Sequence, residues 1–231
     1  MSALRGKVAV VTGASRGIGA ATASLLAREG ARVVRMARSL SERRGGDALD
    51  LCCDVTDAAQ VKAAADLVQA EWGAPDILVN NAGAFHLAPF EETSTAEFDA
   101  QVAANLRGPW LVARAFVPLM RAGKGGIVVT VGSVADHVGF PGNSAYAAAK
   151  YGVRGLHETL LAEYRASGLR FTLVSPGPTD TAAWDAVDPD TRPGFTPRAR
   201  MLRPDDVAAA VVFAATRPPH VQLDWLRLGP A

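Results

Sequence analysis

Tyr146 and Lys150 are the two residues whose types and spacing most directly suggest chemistry. They lie four positions apart in an alanine-rich stretch that favours a helix, and such a spacing puts both side chains on one face. A phenol ordinarily titrates near pH ~10, and a fixed ammonium group nearby stabilises its phenolate. The pair therefore suggests a proton donor, although a packing tyrosine beside a solvated lysine gives the same spacing by chance.

A glycine-rich turn near the N-terminus suggests a phosphate-binding site. Residues 12–19 read Thr-Gly-Ala-Ser-Arg-Gly-Ile-Gly, between a strand-like run at 7–11 and a helical pattern at 17–28. Glycines there let bare backbone and a helix N-terminus approach a pyrophosphate. The spacing Gly-x-x-x-Gly-x-Gly differs from the more widespread Gly-x-Gly-x-x-Gly, so an ordinary glycine-rich turn is the alternative.

Apolar strand-like runs alternate with helical patterns along the whole chain. Because continuous apolar runs are typical of strands buried on both faces, we predict an α/β fold: a single-domain, doubly wound Rossmann fold with a seven-stranded parallel sheet covered by helices on both faces. The predicted strands cover residues 7–11, 31–36, 48–53, 77–79, 126–131, 170–174 and 221–228, and the helices 17–28, 57–72, 95–120, 144–166 and 204–216. Residues 39–46 are few for a parallel crossover, so the helix between the second and third strands should be missing or reduced to a turn.

Composition limits the possible partners. The chain has 231 residues, 49% of them hydrophobic, which suits one domain over residues 1–231. A net charge of +1 without a basic run gives no footprint for nucleic acid or an anionic membrane, so small molecules and copies of the chain are the expected partners. We see no leader sequence or apolar stretch of membrane-spanning length, and expect a cytoplasmic protein.

Cysteine and histidine do not indicate a metal site. Cys52 and Cys53 are neighbours on a predicted strand, so their side chains should point to opposite faces and not form a disulfide. The four histidines are scattered without the spacing of metal ligands. We therefore predict that the chain binds no metal.

Five motifs occur in an order that resembles the short-chain dehydrogenase/reductase family, over most of the chain. Each is weak alone, but each falls at a predicted strand end or on the expected helix. They are the turn at 12–19, Asp54-Val55, Asn80-Asn81-Ala82-Gly83, the set Asn105, Ser133, Tyr146 and Lys150, and Pro176-Gly177. Hydride transfer to a carbonyl needs a proton for the developing oxyanion, and the resemblance assigns that role to Tyr146.

The resemblance also implies roles for the other motif residues. Lys150 would lower the Tyr146 pKa and bind the nicotinamide ribose, Ser133 would orient the carbonyl oxygen, and Asn105 would hold a water that links Lys150 to solvent. Asp54 and Val55 would hold the adenine. The implied cofactor-binding residues are Gly13, Ser15, Arg16, Gly17, Ile18, Gly19, Asn81, Ala82, Gly83, Tyr146, Lys150, Pro176, Gly177, Thr179 and Thr181.

The end of the second predicted strand favours NADP(H) as cofactor. Rossmann proteins that bind NAD usually place an acidic residue there, but residues 35–39 read Arg-Met-Ala-Arg-Ser. Arg38 and Arg16 could instead clamp a ribose 2′-phosphate, with Ser39 donating a further hydrogen bond. Solvated arginines are the alternative, which leaves NAD(H) possible.

The substrate pocket is expected to be mostly apolar. We place Phe85, His86, Val138, Phe140 and Trp184 near the reacting carbonyl, which suits a medium-sized ketone or aldehyde. Residues 178–203 are too long for an ordinary connection, and their apolar side chains suit a lid. Its arginines could recruit an anionic substrate, although a solvated face explains them equally: Arg192, Arg198, Arg200 and Arg203.

Together these features predict an NADP(H)-dependent oxidoreductase that transfers hydride between the nicotinamide and a carbonyl or secondary alcohol. Alternatives are a non-catalytic NADP(H)-sensing protein, a structural subunit, and a 3-oxoacyl-type reductase. The intact catalytic set argues against the sensor, and the ending after residue 228, which lacks the glycine-rich sequence of many relatives, argues against the 3-oxoacyl-type reductase. The resemblance further implies a homodimer or homotetramer.

Overall fold

The fold is built on one eight-stranded sheet, in a computed structural model that describes residues 3–231. The sheet order is β3-β4-β2-β1-β5-β6-β7-β8, and all neighbouring strands except β3 and β4 are parallel. The predicted doubly wound α/β fold is thus confirmed. The strands are β1 Val8–Thr12, β2 Arg32–Ala37, β3 Arg43–Gly45, β4 Ala48–Cys52, β5 Ile77–Asn80, β6 Gly126–Val131, β7 Leu169–Pro176 and β8 Trp225–Leu228.

The strand count differs from the predicted seven because of β3. Residues 38–47 contain no helix, and β3 instead pairs antiparallel with β4, from Arg43 opposite Asp50 to Gly45 opposite Ala48. Gly46 has φ +54° in the two-residue loop that reverses the chain, a conformation that glycine adopts without strain. The helix is missing as predicted, and a short hairpin edge occupies its place.

The helices are α1 Gly17–Arg28, α2 Ala58–Trp72, α3 Thr95–Val102, α4 Gly108–Ala122, α5 Ser144–Glu163 and α6 Pro204–Ala215. The predicted helix at 95–120 is divided by a π-helical segment, Ala103–Arg107, between α3 and α4. Pro109 follows this segment and has no N–H to bond the carbonyl four residues earlier, so the regular ladder is interrupted here. None of the helices within residues 3–231 is long and apolar enough to cross a membrane.

Both faces of the sheet carry a hydrophobic core. On one face, Phe116 of α4 packs in a cluster with Phe171 of β7 and with α2. On the other, Leu26 of α1 and Val211 of α6 belong to a second cluster. The strand order runs outward in both directions from β1 and β5, and in such sheets ligands bind at the carboxyl ends of the strands beside this switch point.

The predicted lid, residues 178–203, is a packed segment whose two ends are joined. Leu202 donates its N–H to the Pro178 carbonyl at 2.9 Å, and Asp180 donates to the Leu202 carbonyl at 2.8 Å. The Arg198 guanidinium contacts both Asp180 and Asp185 at 2.7 Å. The segment is therefore closed by its own hydrogen bonds and is not an open insertion.

Candidate active site

A cavity of about 730 Å³ lies at the carboxyl ends of the central strands. Asn105, Ser133, Tyr146 and Lys150, the four side chains proposed to be catalytic, all line it. Ser133 follows β6, Asn105 lies in the π-helical segment, and α5 carries the other two. The fold thus brings together residues from three separate parts of the chain.

Helix α5 presents Tyr146 and Lys150 on one face, as their spacing predicts. The Lys150 Nζ lies 5.6 Å from the centroid of the Tyr146 ring and donates a hydrogen bond to the Val131 carbonyl at 3.0 Å. Lys150 is buried, and a buried ammonium group requires such a partner. The hydrogen bond fixes the ammonium group against the end of β6.

Burial dominates the pKa values of both groups. It raises the pKa of Tyr146 to about 12, with contact from the Ser133 side chain acting in the opposite direction and the Asp136 charge adding to the rise. Burial lowers the pKa of Lys150 to about 8, opposed by the Asp136 charge. The Tyr146 pKa is thus raised, not lowered as the sequence suggested, because desolvation of the phenolate is the largest cause and the contact with Ser133 only partly opposes it.

Ser133 begins a short 3₁₀ turn, Val134–Asp136, directly after β6. Its hydroxyl accepts a hydrogen bond from the Ala135 N–H at 3.1 Å, and its own N–H donates to an Asp136 carboxylate oxygen at 3.1 Å. This reciprocal capping box holds the serine at the cavity wall. Its hydroxyl can still donate a hydrogen bond to a carbonyl oxygen.

Asn105 is buried and ties the π-helical segment to the loop after β5. Its side-chain oxygen accepts from the Ala84 N–H at 3.2 Å, and its Nδ2 donates to the Ala84 carbonyl at 2.8 Å and to Gln101. The amide is thus engaged by protein groups at the cavity wall. These contacts fix the loop that carries Gly83 and Phe85.

The glycine-rich turn has the shape and the donors that a pyrophosphate needs. A Cβ on Gly13 would lie 2.8 Å from the Ala82 Cα, and one on Gly19 would lie 2.3 Å from the Gly13 oxygen, so both positions require glycine. Arg16 caps α1 without a side-chain hydrogen bond, and the first turn of α1 has no acidic residue. Its N–H groups therefore suit an anion, with Ser15 and Arg16 exposed, Gly17 at φ +56° and Ile18 on the cavity wall.

The predicted adenosine end lies outside the cavity, after β2 and β4. Arg38 is 80% exposed at its side chain and lies 4.0 Å from the Asp54 carboxylate, with the exposed Ser39 beside it. Hydrogen bonds from Thr56 lower the pKa of Asp54. Arg35, by contrast, is committed to Asp50 at 2.6 Å, and Val55 is buried in the core.

The strand ends around β5 and β7 carry the remaining cofactor candidates. The Asn81 side chain donates to the Thr12 carbonyl at 2.9 Å, and this contact links the loop after β5 to the glycine-rich turn. The Thr179 hydroxyl donates to the Gly177 carbonyl at 3.0 Å, and that of Thr181 accepts from the Ala183 N–H. The cofactor candidates that line the cavity are Ile18, Asn81, Gly83, Tyr146, Lys150, Pro176, Gly177, Thr179 and Thr181.

Three of the five predicted substrate residues line the cavity: Phe85, Phe140 and Trp184. His86 and Val138 lie off its wall, because the His86 ring pairs with Glu97 at 3.1 Å and the Val138 side chain is exposed to solvent. Several other residues that line the cavity were not predicted from the sequence to contact substrate. Only Phe195 could have been identified, because it is an aromatic residue in the predicted lid. These other lining residues are Leu87, Val134, Pro141, Asn143, Pro193, Phe195 and Thr196.

The wall of the cavity is mostly apolar and carries little charge. Among the described residues that line it, only Tyr146 and Lys150 have ionisable side chains. None of the four lid arginines is on the wall, and Arg198 and Arg203 are paired with carboxylates. The lid arginines therefore offer no cation inside this cavity.

Comparison with known proteins agrees with this geometry. The family model described as short chain dehydrogenase matches residues 7–192. D-threitol dehydrogenase of Mycolicibacterium smegmatis is 42% identical over 92% of this chain and 87% of its own. Cis-4-hydroxycyclohexanecarboxylate dehydrogenase of Sinomonas cyclohexanicum is 40% identical over 91% of this chain and 89% of its own.

A solved structure gives the same result. A metagenomic short-chain oxidoreductase in complex with NADP superposes with a TM-score of 0.82 at 36% identity, covering 100% of this chain and 99% of the other. The region matched by the family model includes the glycine-rich turn and all four of Asn105, Ser133, Tyr146 and Lys150. The chain therefore belongs to the short-chain dehydrogenase/reductase family of nicotinamide-dependent oxidoreductases.

Proposed function

We propose that this protein is an NADP(H)-dependent oxidoreductase that transfers hydride between the nicotinamide and a carbonyl or secondary alcohol, within one domain over residues 1–231. The observation that carries the proposal is the convergence of Ser133, Tyr146 and Lys150 on one apolar cavity beside the glycine-rich turn. A proton donor, a hydrogen-bond donor for the carbonyl and a buried cation are the groups that such a reaction requires from a protein.

The residues divide the work by their positions. The bound cofactor supplies the hydride chemistry. Tyr146 is the general acid for carbonyl reduction and the general base for alcohol oxidation, and Ser133 orients the reacting oxygen beside it. Lys150 supplies the positive charge on the same face of α5 that stabilises the phenolate, and Asn105 maintains the cavity wall through Ala84.

The cofactor proposal rests on the charge at the end of β2. Arg38 is exposed there, and Arg16 is exposed at the start of α1. No acidic residue occupies positions 35–39, so no carboxylate there can accept hydrogen bonds from the ribose hydroxyl groups. A guanidinium group matches the geometry of a 2′-phosphate. The NADP complex of the structural relative also supports NADP(H).

The substrate proposal rests on the cavity wall. Phe85, Phe140, Trp184 and Phe195 supply apolar surface, while the lid arginines lie elsewhere. An uncharged, medium-sized ketone, aldehyde or secondary alcohol suits this wall, because a charged group would lose hydration without gaining a partner. A 3-oxoacyl-type reductase remains the second candidate, since an apolar wall also suits an acyl chain.

We further propose a homodimer or homotetramer. Phe98 on α3 and Trp110 on α4 are large apolar side chains that are more than 40% exposed in the single chain. Such residues on neighbouring helices are typical of subunit interfaces. The mass in solution, measured by light scattering after gel filtration, tests this; a monomer at micromolar concentration contradicts it.

The test of the function is an assay of NADPH and NADH oxidation with a panel of neutral aldehydes, ketones and quinones. The Tyr146→Phe variant should lose about 10²- to 10⁴-fold in turnover, the range that general acid catalysis supplies, while its dissociation constant for NADPH stays near that of the wild type. Tyr151→Phe, an exposed tyrosine on the same helix, is the matched control and should retain activity.

The same assay separates the alternatives. A sensing protein would bind NADPH yet oxidise it with no member of the panel, and a structural subunit would do neither. A 3-oxoacyl-type reductase would prefer an acetoacetyl thioester over the simple ketones. Retention of most activity by Tyr146→Phe would contradict the proposed role of the phenol.

A further inference from the structure

Asp136 is a fully buried carboxylate directly behind Ser133, and the proposed chemistry does not use it. It ends the 3₁₀ turn Val134–Asp136 that Ser133 begins. Removing a carboxylate from water costs several kcal/mol unless hydrogen bonds and a counter-charge compensate it. The contacts of Asp136 therefore indicate what the chain gains from placing it here.

Two neighbours hold one carboxylate oxygen of Asp136. The Oδ2 accepts a hydrogen bond from the Ser133 N–H at 3.1 Å and one from the Ser175 hydroxyl at 2.5 Å. The Trp225 Nε1 donates to the Ser175 Oγ at 2.8 Å. Because Trp225 occupies the serine oxygen as a donor, the Ser175 proton is directed at the carboxylate.

The second carboxylate oxygen, Oδ1, lies 2.7 Å from the His137 Nδ1. The His137 ring in turn meets the Trp225 ring edge to face at 5.1 Å. The backbone is adapted to the carboxylate as well, since a Cβ on Gly132 would lie 2.3 Å from the Asp136 Oδ2. Ser133 is thus anchored through Asp136 to strands β7 and β8.

The charge of Asp136 also acts on the two ionisable groups of the cavity. It raises the pKa of Lys150 against the lowering effect of burial, and it raises the pKa of Tyr146. The side-chain contacts of Asp136 itself are with the Ser175 hydroxyl of β7, which accepts from Trp225 of β8, and with the His137 ring. The titratable and charged groups around this network are His137 on the turn, Tyr146, Lys150 and His157 on α5, Asp224 beside His157, and Arg154 and Arg227 over the Trp225 ring.

We propose that Asp136 is a positioning residue of the reaction: its carboxylate, held by the Ser175 hydroxyl and the His137 ring, fixes the Ser133 turn at the cavity wall. This inference rests on the proposed hydride-transfer function. It adds a residue that touches neither substrate nor cofactor and acts through the groups that do.

The test compares the pH dependence of kcat for carbonyl reduction in the wild type and in Asp136→Asn. Loss of the negative charge lowers the pKa of both Tyr146 and Lys150, so both groups lose their protons at lower pH. We expect kcat to fall about 100-fold, a typical cost of a misplaced catalytic group. We also expect the fall of kcat at high pH, the alkaline limb of its pH profile, to move about one pH unit lower. Asp99→Asn, an exposed carboxylate on α3, is the matched control and should leave both unchanged.

A role confined to folding stability predicts a different result, in which Asp136→Asn unfolds at a lower urea concentration while its folded fraction keeps the wild-type kcat. Wild-type kcat in folded Asp136→Asn overturns the proposal. If the wild type itself oxidises neither NADPH nor NADH with any member of the panel, the proposed function fails, and this inference fails with it.

A second pair of variants decides the matter should Asp136→Asn fail to fold, as circular dichroism would reveal. Ser175→Ala and Trp225→Phe each remove a donor from the network and keep the Asp136 charge. We expect kcat to fall about 10-fold in each, by loss of one hydrogen bond worth roughly 1 kcal/mol or slightly more, with the alkaline limb unmoved. Wild-type kcat in both variants overturns the positioning role.

Discussion

The Phe85 ring meets the Tyr146 phenol edge to face, with ring centroids 5.0 Å apart and planes at 81°. On the lid side, the same Phe85 ring lies 4.9 Å from the Trp184 ring, which is followed by Phe195 at 6.2 Å from Trp184. One side chain from the loop after β5 therefore contacts both the proposed acid and the lid. We expect Phe85 to couple the position of the phenol to the packing of the lid.

Replacing Phe85 with Ala should remove both contacts. An aromatic pair contributes roughly 1 kcal/mol beyond its buried area, so we expect KM for an apolar ketone to rise about 10-fold and kcat to fall by a smaller factor. Steady-state kinetics of Phe85→Ala and Phe85→Tyr provide the measurement, and the tyrosine variant should recover most of the loss. Phe90→Ala, 79% exposed and off the cavity wall, is the control; equal effects at both positions would contradict the coupling.

The charge of the cavity leads to a prediction about substrate choice. Among the described residues that line the cavity, Lys150 is the only cation. Its Nζ already donates a hydrogen bond to the Val131 carbonyl. A carboxylate entering this cavity would remain unpaired, at a cost of roughly 3 kcal/mol or more. We expect kcat/KM for methyl 4-hydroxycyclohexanecarboxylate to exceed that for the free acid about 100-fold. An acid used as well as its ester would point to a cation reaching the substrate, and loss of the acid activity in Arg200→Ala would identify the lid as its source.

Cofactor preference should follow Arg38. Each charge-assisted hydrogen bond to a 2′-phosphate contributes roughly 1.5–3 kcal/mol, so Arg38→Ala should raise the dissociation constant for NADPH about 10- to 100-fold and leave that for NADH unchanged. Adding Ala37→Asp, which supplies an acceptor for the ribose hydroxyls, should reverse the preference. Arg28→Ala at the far end of α1 is the control, and equal turnover of NADH and NADPH by the wild type would contradict the assignment.

The sequence was sufficient to predict the fold because the patterns that determine it are local. Continuous apolar runs specify strands buried on both faces, and the motifs at their carboxyl ends must then meet at one edge of the sheet. Ser133 and Tyr146 reach the same cavity for this reason. The missing helix before β4 was likewise predicted, since a short connection has no room for one.

Features that depend on distant partners could not be predicted. Asp136 in a turn carries no periodic signal, and its importance appears only when Ser175 and Trp225 arrive from β7 and β8. His86 follows a cavity residue directly, yet its ring turns to Glu97 on α3. The pKa of Tyr146 also depends on burial, which the spacing of Tyr146 and Lys150 does not specify.

The buried Lys150 should make stability depend on pH in a defined direction. Burial lowers its pKa from the ordinary 10.5 to about 8, so the folded protein binds fewer protons than the unfolded chain between these values. The lysine thus destabilises the fold below about pH 8, and this cost is progressively relieved as pH rises towards 10.5.

Lys150→Met keeps the length of the side chain without the charge. We expect its advantage in the free energy of unfolding over the wild type to shrink by about 1.4 kcal/mol per pH unit between pH ~8 and ~10. Urea denaturation at a series of pH values measures this difference, with the exposed Lys124→Met as a control that should show no such slope. A difference between Lys150→Met and wild type that stays constant with pH would mean that the ammonium group is not desolvated in the folded protein.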